Sequence, residues 1–498
     1  MSDKRLKIYN TLTRKKETFT PLLDQGKKDF VWIYTCGPTV YSEPHVGNMR
    51  AYIFADSLRS VIKNIMWYDV KHVVNITDVG HLTDDGDFGE DKLEKGSRIE
   101  WLSARDVARK YENRFKEYLK WLKIEFDYFP RATDNIQEQI DVVKLLEEKW
   151  YTYEIPGDGI YFDSSKYPEY GRLLGENYKE ILAWLEAGQR IDMWGKKNST
   201  DFSLWKFSKP EEKRQMERDS PWWIGFPGWH IECTAMSEKI LGREFDIHTG
   251  WYDHISIHHP NEMAQNECAF GIKDNVKYWM HVQFLNIKWE KISKSKGNFT
   301  TMNELNDKWF SAQDFRYMIL NTHYRNFMDF ERNILESFHN SRQNIVKKLV
   351  EISRTLDKLP DFGNVKLNYI DFADKYLPTQ EGKKLFAEII DFIFDDLDIG
   401  NAFTKIHESL KSYSPEIATD LLNIIFYLDE NLFKLELKKA VEDNLNFEAP
   451  AEIKELAQKR WEAKLMKNFD EADKIREQIK SKWYDIKDNK DWFEIIKI

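Results

Sequence analysis

The sequence predicts an α/β protein: a doubly wound, Rossmann-like parallel sheet interrupted by a connective insertion, then an α-helical bundle and a small C-terminal module. Three observations carry this. Near the N-terminus a strand, a Gly-Pro turn, a helix and a second strand follow one another, the order that builds parallel sheets. The texture changes over 127–220, and strand-like patterns return at "REFDIHTG" and "YWMHVQFLNI". Beyond about Asn333 the apolar residues recur at helical spacing, as in "LFAEIIDFIFDDL" and "ATDLLNIIFYL".

Taken in order, "FVWIYTCGPTVY" is an apolar strand running into the turn, "MRAYIFADSLRSVIKNIM" has helical periodicity, and "YDVKHVVNITDV" is a Val- and Ile-rich strand. The insertion holds a helix, "RATDNIQEQIDVVKLLEEKW", and a strand, "GDGIYFDSS". The sheet domain is therefore expected in two halves, 1–126 and 221–290, with the insertion at 127–220. A connecting region at 291–335, a helical bundle at 336–445 and a terminal module at 446–498 complete the chain. The module reads as two helices, "IKELAQKRWEAKLMKN" and "DEADKIREQIKSK", the second capped by Asp470, followed by a strand-like tail.

A chain of 498 residues needs several cores. Its 42% hydrophobic and 32% charged residues fit a soluble protein. No apolar run reaches membrane-spanning length, and "MSDKRLKIYN" is not followed by the apolar stretch of a signal peptide. A cytoplasmic protein without membrane contact is expected. Three cysteines, Cys36, Cys233 and Cys268, are no disulfide framework and leave room for thiolate metal ligands or buried thiols. The net charge of −10 argues against bulk affinity for nucleic acid, although a local basic surface suffices to attract phosphate.

Three motifs carry chemistry. "PHVGNMR" lies between a turn and a helix, where Gly47 lets the backbone approach a ligand, His45 and Asn48 offer hydrogen bonds, and the helix N-terminus favours anions. "KISKSKGN" (291–298) is a cationic loop suited to a polyphosphate, and equally a solvated surface loop. "HHPNE" puts His258 and Glu262 one helical turn apart. With Cys36 and Cys233 they make a reasonable tetrahedral zinc set, though spacing alone leaves an inert core thiol and an idle histidine open.

The first two motifs, in this order and separation, resemble the His-Ile-Gly-His and Lys-Met-Ser-Lys-Ser motifs of class I aminoacyl-tRNA synthetases. Asn48 replaces the last His, which keeps a donor but no charge, and Ile292 replaces Met. "YTCGPTVY", "NITDV", "PGWHIECTAMS", "HHPNE", "RATDNIQEQI", "YFDSSKYPEYGRL" and "KKNSTDFSLWK" resemble the cysteinyl-tRNA synthetase family in particular, over nearly the whole chain. The resemblance implies a zinc ion on Cys36, Cys233, His258 and Glu262, with Cys268 a core thiol and His259 a neighbour of the site. It implies that His45, Asn48 and Lys294, supported by Lys291, neutralise phosphate charge. Gly47, His248, Gly250, Asp253 and Lys294 would surround ATP and the adenylate, and Thr77 and Trp229 the amino acid. His254 receives no role.

The reaction so implied has two steps. The carboxylate of L-cysteine attacks the α-phosphate of ATP, with Mg2+ accompanying the nucleotide, and a terminal hydroxyl of tRNA(Cys) then attacks the acyl carbon. Zinc would separate cysteine from serine, since a thiolate binds it well and a hydroxyl does not. The bundle would meet the anticodon stem. The terminal module would meet the anticodon, with Lys and Arg of "QKRWEAKLMK" on phosphates and Trp492 stacking on a base. A monomer is expected. The rivals are a cysteine ligase of mycothiol synthesis, which lacks an anticodon region, and a noncatalytic zinc- and RNA-binding paralogue, which has no use for the nucleotide motifs. A zinc hydrolase would need His-Glu-x-x-His, which is absent.

Tryptophan occurs 18 times. Trp205, Trp222, Trp229 and Trp279 stand where the family has Trp. Trp67, Trp101, Trp150, Trp184, Trp194, Trp223, Trp251, Trp289, Trp309 and Trp483 stand where turn chemistry or the family pattern calls for Gly. So many independent sites suggest one cause: UGA codons read as Trp in a gene whose organism reads them as Gly. Lineage drift with local compensation is the alternative. Trp251, directly after Thr249 and Gly250, falls in an expected polar turn.

Overall fold

The computed structural model describes residues 4–80, 82, 91–175, 178, 195–209, 214–287, 290–291, 300–307, 310–356, 358–362, 367–482, 484–488 and 493–497. Lys294, Ile292, Trp184, Trp194, Trp289, Trp309, Trp483 and Trp492 lie outside them. The chain forms two compact units, Met1–Leu437 and Lys438–Ile498.

In the first unit, strand β1 (Val31–Thr35) leads into helix α1 (Val46–Ser60) and strand β2 (Val70–Val74). After the insertion come helix α2 (Trp229–Leu241), strand β3 (Phe245–Trp251), helix α3 (His258–Phe270) and strand β4 (Val276–Val282). The strands pair in the order β4-β3-β1-β2, all parallel. They read as continuous apolar runs because both faces of such a sheet are covered. Crossover topology brings residues far apart in sequence to one sheet edge: Tyr34 of β1 lies opposite His248 of β3, and Cys36 N donates to Thr249 O at 3.0 Å. Ligand sites of open parallel sheets lie at this carboxyl edge.

Helix α1 is buried on almost every face, including Arg50, Asp56 and Arg59. The Arg50 guanidinium donates through its two terminal nitrogens to the carbonyls of Phe284 (2.5 Å) and Asn326 (2.6 Å).

The insertion is a four-stranded antiparallel sheet, Thr152–Ile155, Gly159–Phe162, Phe202–Phe207 and Gly225–Pro227, beside the helix Ile136–Glu148. Its last strand lies beyond the boundary expected at 220. Three residues are too short a strand to show periodicity. Leu146, Phe162, Trp205, Ile231, Ala264 and Cys268 share its core, so Cys268 is the core thiol expected.

Helices Arg332–Ser353, Tyr369–Tyr376, Gln380–Phe394, Ile399–Lys411 and Ala418–Leu428 form the helical part of this unit. The second unit begins at Lys438 rather than 446. Its helices Ala451–Leu465 and Phe469–Ser481 pack with the hairpin Tyr484–Asp488 and Phe493–Lys497 around Ile453, Ala457, Ile479 and Ile486. Asn468, not Asp470, caps the second helix, its side chain accepting from Glu471 N. Two basic residues of the stretch expected on phosphates also pair within the unit: buried Arg460 grips both oxygens of Asp488 at 2.7 and 2.8 Å, and half-buried Lys464 joins one at 2.7 Å.

Candidate metal and adenylate site

Cys36 follows β1, Cys233 lies in α2, and His258 and Glu262 lie on one face of α3. Their donor atoms all lie within 4.8 Å of one another, and all four residues are buried. Cys36 Sγ is 3.7 Å from Glu262 Oε1, Cys233 Sγ is 3.6 Å from His258 Nε2, and His258 Nε2 is 2.8 Å from Glu262 Oε1. Gly37 makes the Cys36 position possible, since a Cβ there would lie 1.5 Å from Asn75 O.

The four donors differ in how readily they give up a proton. The hydrogen bond with Cys36, set against burial, draws the Cys233 thiol down to about 6. Burial pushes the Cys36 thiol up. Burial also opposes ionisation of Glu262, yet His248 and His258 hold its carboxyl far below the usual range. For His258 burial works against the charge, and the Glu262 carboxylate lifts it to about 10. Two thiols, an imidazole nitrogen and a carboxylate oxygen converging on one point fit the tetrahedral donor set of zinc.

A layer of histidines surrounds these four; His259 was expected beside the site, while His230 and His281 were not. His230 Nδ1 lies 2.7 Å from His258 Nδ1, which turns the Nε2 of His258 toward the cluster. His259 Nε2 lies 3.3 Å from Cys36 Sγ, and its Nδ1 is 2.7 Å from His281 Nε2, whose Nδ1 in turn meets Thr11 Oγ1 at 2.8 Å. His259 is thus a neighbour of the site, and it also belongs to an overlapping group of Cys36, His248, His259 and Glu262 that meets the same distance limit. Burial holds His259 and His281 neutral. The available signal was a lone histidine in an apolar strand, in "YWMHV", which also suits a core residue.

His248, expected beside the adenylate, stands under the metal cluster: its Nε2 meets Glu262 Oε2 at 2.9 Å. Gly250 is the next-to-last residue of the same strand, at a point where a Cβ would lie 2.6 Å from His259 Cε1 and 2.7 Å from His254 Nδ1. Asp253 and His254 lie on the short helix Tyr252–Ile255, with Asp253 exposed. Burial lowers His254 to about 3. Trp229 opens α2 and stacks on His258 with centroids 4.2 Å apart. Thr77 exchanges backbone hydrogen bonds with the Gly-Pro turn, donating to Pro38 O and accepting from Val40 N at 3.1 Å each. Trp251 does not occupy a turn: it is the last residue of β3, paired with Val282, with its ring edge-on to Tyr52 of α1 at 5.5 Å.

The first nucleotide motif opens a helix and is tied through backbone to the residues just after the second. His45 caps α1, and Asn48 completes a capping box: His45 Nδ1 accepts from Asn48 N at 3.3 Å, and Asn48 Oδ1 accepts from His45 N at 3.0 Å. Gly47 lies buried in this first turn. Val46 N donates to Thr300 O at 2.9 Å, and His45 bridges Thr301, so the segment directly after "KISKSKGN" is tied to the first motif. Lys291 begins that motif on the short strand Glu290–Lys291, paired with Asn286.

Residues 22–340 match the family model for the class I (C) tRNA synthetase catalytic domain. The cysteine–tRNA ligase of Treponema denticola is 38% identical over 489 residues, covering 95% of this chain and 96% of that protein. Cysteine–tRNA ligase 1 of Burkholderia lata is 38% identical over 485 residues (97% and 95%), and the Brachyspira hyodysenteriae cysteine–tRNA ligase 37% over 492 residues (97% and 98%). Among solved structures, Mycobacterium tuberculosis methionyl-tRNA synthetase in complex with methionyl-adenylate superposes with a TM-score of 0.57 at 16% identity, covering 84% of this chain and 94% of that one, a likeness of fold. Catalytic-domain match, full-length identity and fold agree, and the chain belongs to the cysteine–tRNA ligase family of class I aminoacyl-tRNA synthetases.

Proposed function

We propose that this cysteine–tRNA ligase activates L-cysteine with ATP and Mg2+, passes it to tRNA(Cys), and selects it at a zinc ion held by Cys36, Cys233, His258 and Glu262. The observation that carries the reading is the buried convergence of those four donors at the carboxyl edge of β1 and β3. Bound there, zinc supplies a soft Lewis acid that favours a thiolate over a hydroxyl, a distinction that a pocket working by shape makes poorly.

The protein's own groups do the rest. Trp229 flanks the thiol side of the pocket through its stack on His258. Thr77 lies beside the Gly-Pro turn that carries Cys36. His45 and the first turn of α1 face the nucleotide phosphates, where backbone N–H groups and the helix N-terminus favour negative charge. The spare amide of Asn48 donates to a phosphate oxygen, and Lys291 and Lys294 neutralise developing charge by position rather than covalent chemistry. Gly250 and Asp253 border the adenylate. The terminal unit supplies the anticodon contact.

The test is cysteine-dependent ATP–pyrophosphate exchange with and without a zinc chelator, with serine as competing substrate, followed by charging of tRNA(Cys). Exchange that needs both cysteine and zinc, ignores serine and leads to charged tRNA is expected. Exchange that survives complete zinc removal without loss of selectivity refutes the zinc reading.

A further inference from the structure

Three of the tryptophans stop helices in a backbone conformation that suits glycine. Trp67, Trp101 and Trp150 have φ of 71°, 56° and 64°. Trp150 follows the helix Ile136–Glu148: its N–H donates to Glu147 O at 2.9 Å, and Tyr151 N reaches back to Leu146 O at 3.0 Å. Trp101 follows the helix Lys92–Glu100, where its N–H donates to Ser97 O and Leu102 N reaches the same oxygen at 3.2 Å. Trp67 follows the turn Val61–Ile65 that extends α1, where Tyr68 N donates to Ile62 O at 3.0 Å. Such returns close a helix by placing one left-handed residue after it, most often glycine.

Other helix ends of this chain show what the position takes. After the short helix Leu22–Gln25, Gly26 (φ 69°) donates to Leu23 O at 2.9 Å and Lys27 N to Leu22 O at 3.0 Å, the pattern of Trp150 and Tyr151. Gly271 (φ 71°) closes α3. Lys123 (φ 56°) and Lys467 (φ 60°) stand after the helices Ala104–Trp121 and Ala451–Leu465, so an L residue can be held left-handed at such a stop. A lysine, however, gains by reaching water, whereas an apolar ring gains only by leaving it. Trp67, Trp101 and Trp150 are 48%, 94% and 78% exposed, so their rings bury little that would offset a conformation that is an outlier for a bulky residue.

All three belong to the ten tryptophans whose surroundings in the sequence call for glycine. None of Trp205, Trp222, Trp229 and Trp279, which stand where the family has Trp, has positive φ. Trp251 marks the boundary of the argument: its backbone is extended (φ −80°, ψ 160°), as any residue's can be, and does not ask for glycine. We infer that the protein made in its own cells carries glycine at positions 67, 101 and 150.

Protein isolated from those cells is digested and the peptides spanning the three positions are weighed. Glycine masses are expected, with UGA codons in the gene. Tryptophan masses, or UGG codons, overturn the inference. In the recombinant chain that carries tryptophan, each Trp→Gly change should raise the thermal midpoint by about 1 °C, and the three distant changes should add to about 3 °C. Trp→Ala should not raise it, since alanine keeps the offending Cβ. A midpoint that stays put with glycine, or that moves equally with glycine and alanine, overturns the backbone argument on which the inference rests.

Discussion

The Nε2 of His248 stands 2.9 Å from Oε2 of Glu262, and both side chains are buried from solvent. Glu262 thereby has one oxygen on His248 and the other 2.8 Å from His258, inside the proposed metal cluster. A supporting donor of this kind fixes the orientation of a metal-binding carboxylate. His248→Gln should weaken zinc binding by about 10- to 100-fold with the fold intact. Competition against a fluorescent zinc chelator measures it. Unchanged affinity would show that the contact is packing alone.

Much of the site was legible in the sequence because its ligands lie in short, chemically unusual segments. The i, i+4 spacing of His258 and Glu262 survives as a 2.8 Å contact. What no spacing could convey is the sheet order: Cys36 and His248 become neighbours only because β3 pairs with β1 across the insertion. His230 and His281 were illegible for the same reason, since the first reaches His258 from α2 and the second reaches His259 from β4. In the terminal unit, basic residues were read by charge alone, and partners such as Asp488 on the hairpin appear only after folding. Trp251 was misread as a turn because Thr-Gly precedes it, whereas pairing with β4 extends the strand through it.

Asn48 spends its carbonyl oxygen on the backbone N–H of His45, so its role in the first nucleotide motif begins with holding the helix start. Asn48→Ala removes this half of the capping box. A loss of about 1 kcal/mol in stability is expected, read by chemical denaturation. Pyrophosphate exchange should fall as well, since the amide proposed to meet phosphate goes with it. Unchanged exchange would confine Asn48 to capping.

Gly250 has no room for a side chain, because a Cβ would lie 2.6 Å from His259 Cε1 and 2.7 Å from His254 Nδ1. Gly250→Ala must push both imidazoles away. A stability loss of about 1–3 kcal/mol is expected from overpacking. The displaced His259 also faces Cys36, so zinc should be retained less well in the variant. Elemental analysis after dialysis checks this, and full zinc retention would mean that the ring can move without disturbing the cluster.

Asp56 on α1 binds two cations that come from distant parts of the first unit. Its Oδ2 accepts from Arg316 at 2.7 Å and its Oδ1 from Lys434 at 2.7 Å, and Asp56 and Arg316 are wholly buried. Burial opposes the charge on Asp56, but Lys434 and Arg316 outweigh it and hold the carboxyl below its ordinary value of 3.8. A depressed carboxyl contributes stability above its unfolded pKa and loses it as pH falls through the folded one. The contribution is therefore constant near neutrality and disappears only in acid below 3.8. Asp56→Asn leaves two buried cations without their counter-charge. It should cost about 3–5 kcal/mol at neutral pH, much more than a surface ion pair. The difference between variant and wild type should shrink as the pH is lowered into the acid range, because protonation removes the same charge from the wild type. Urea unfolding at several pH values measures both, and a difference independent of pH would mean that packing, not the charge, holds these elements together.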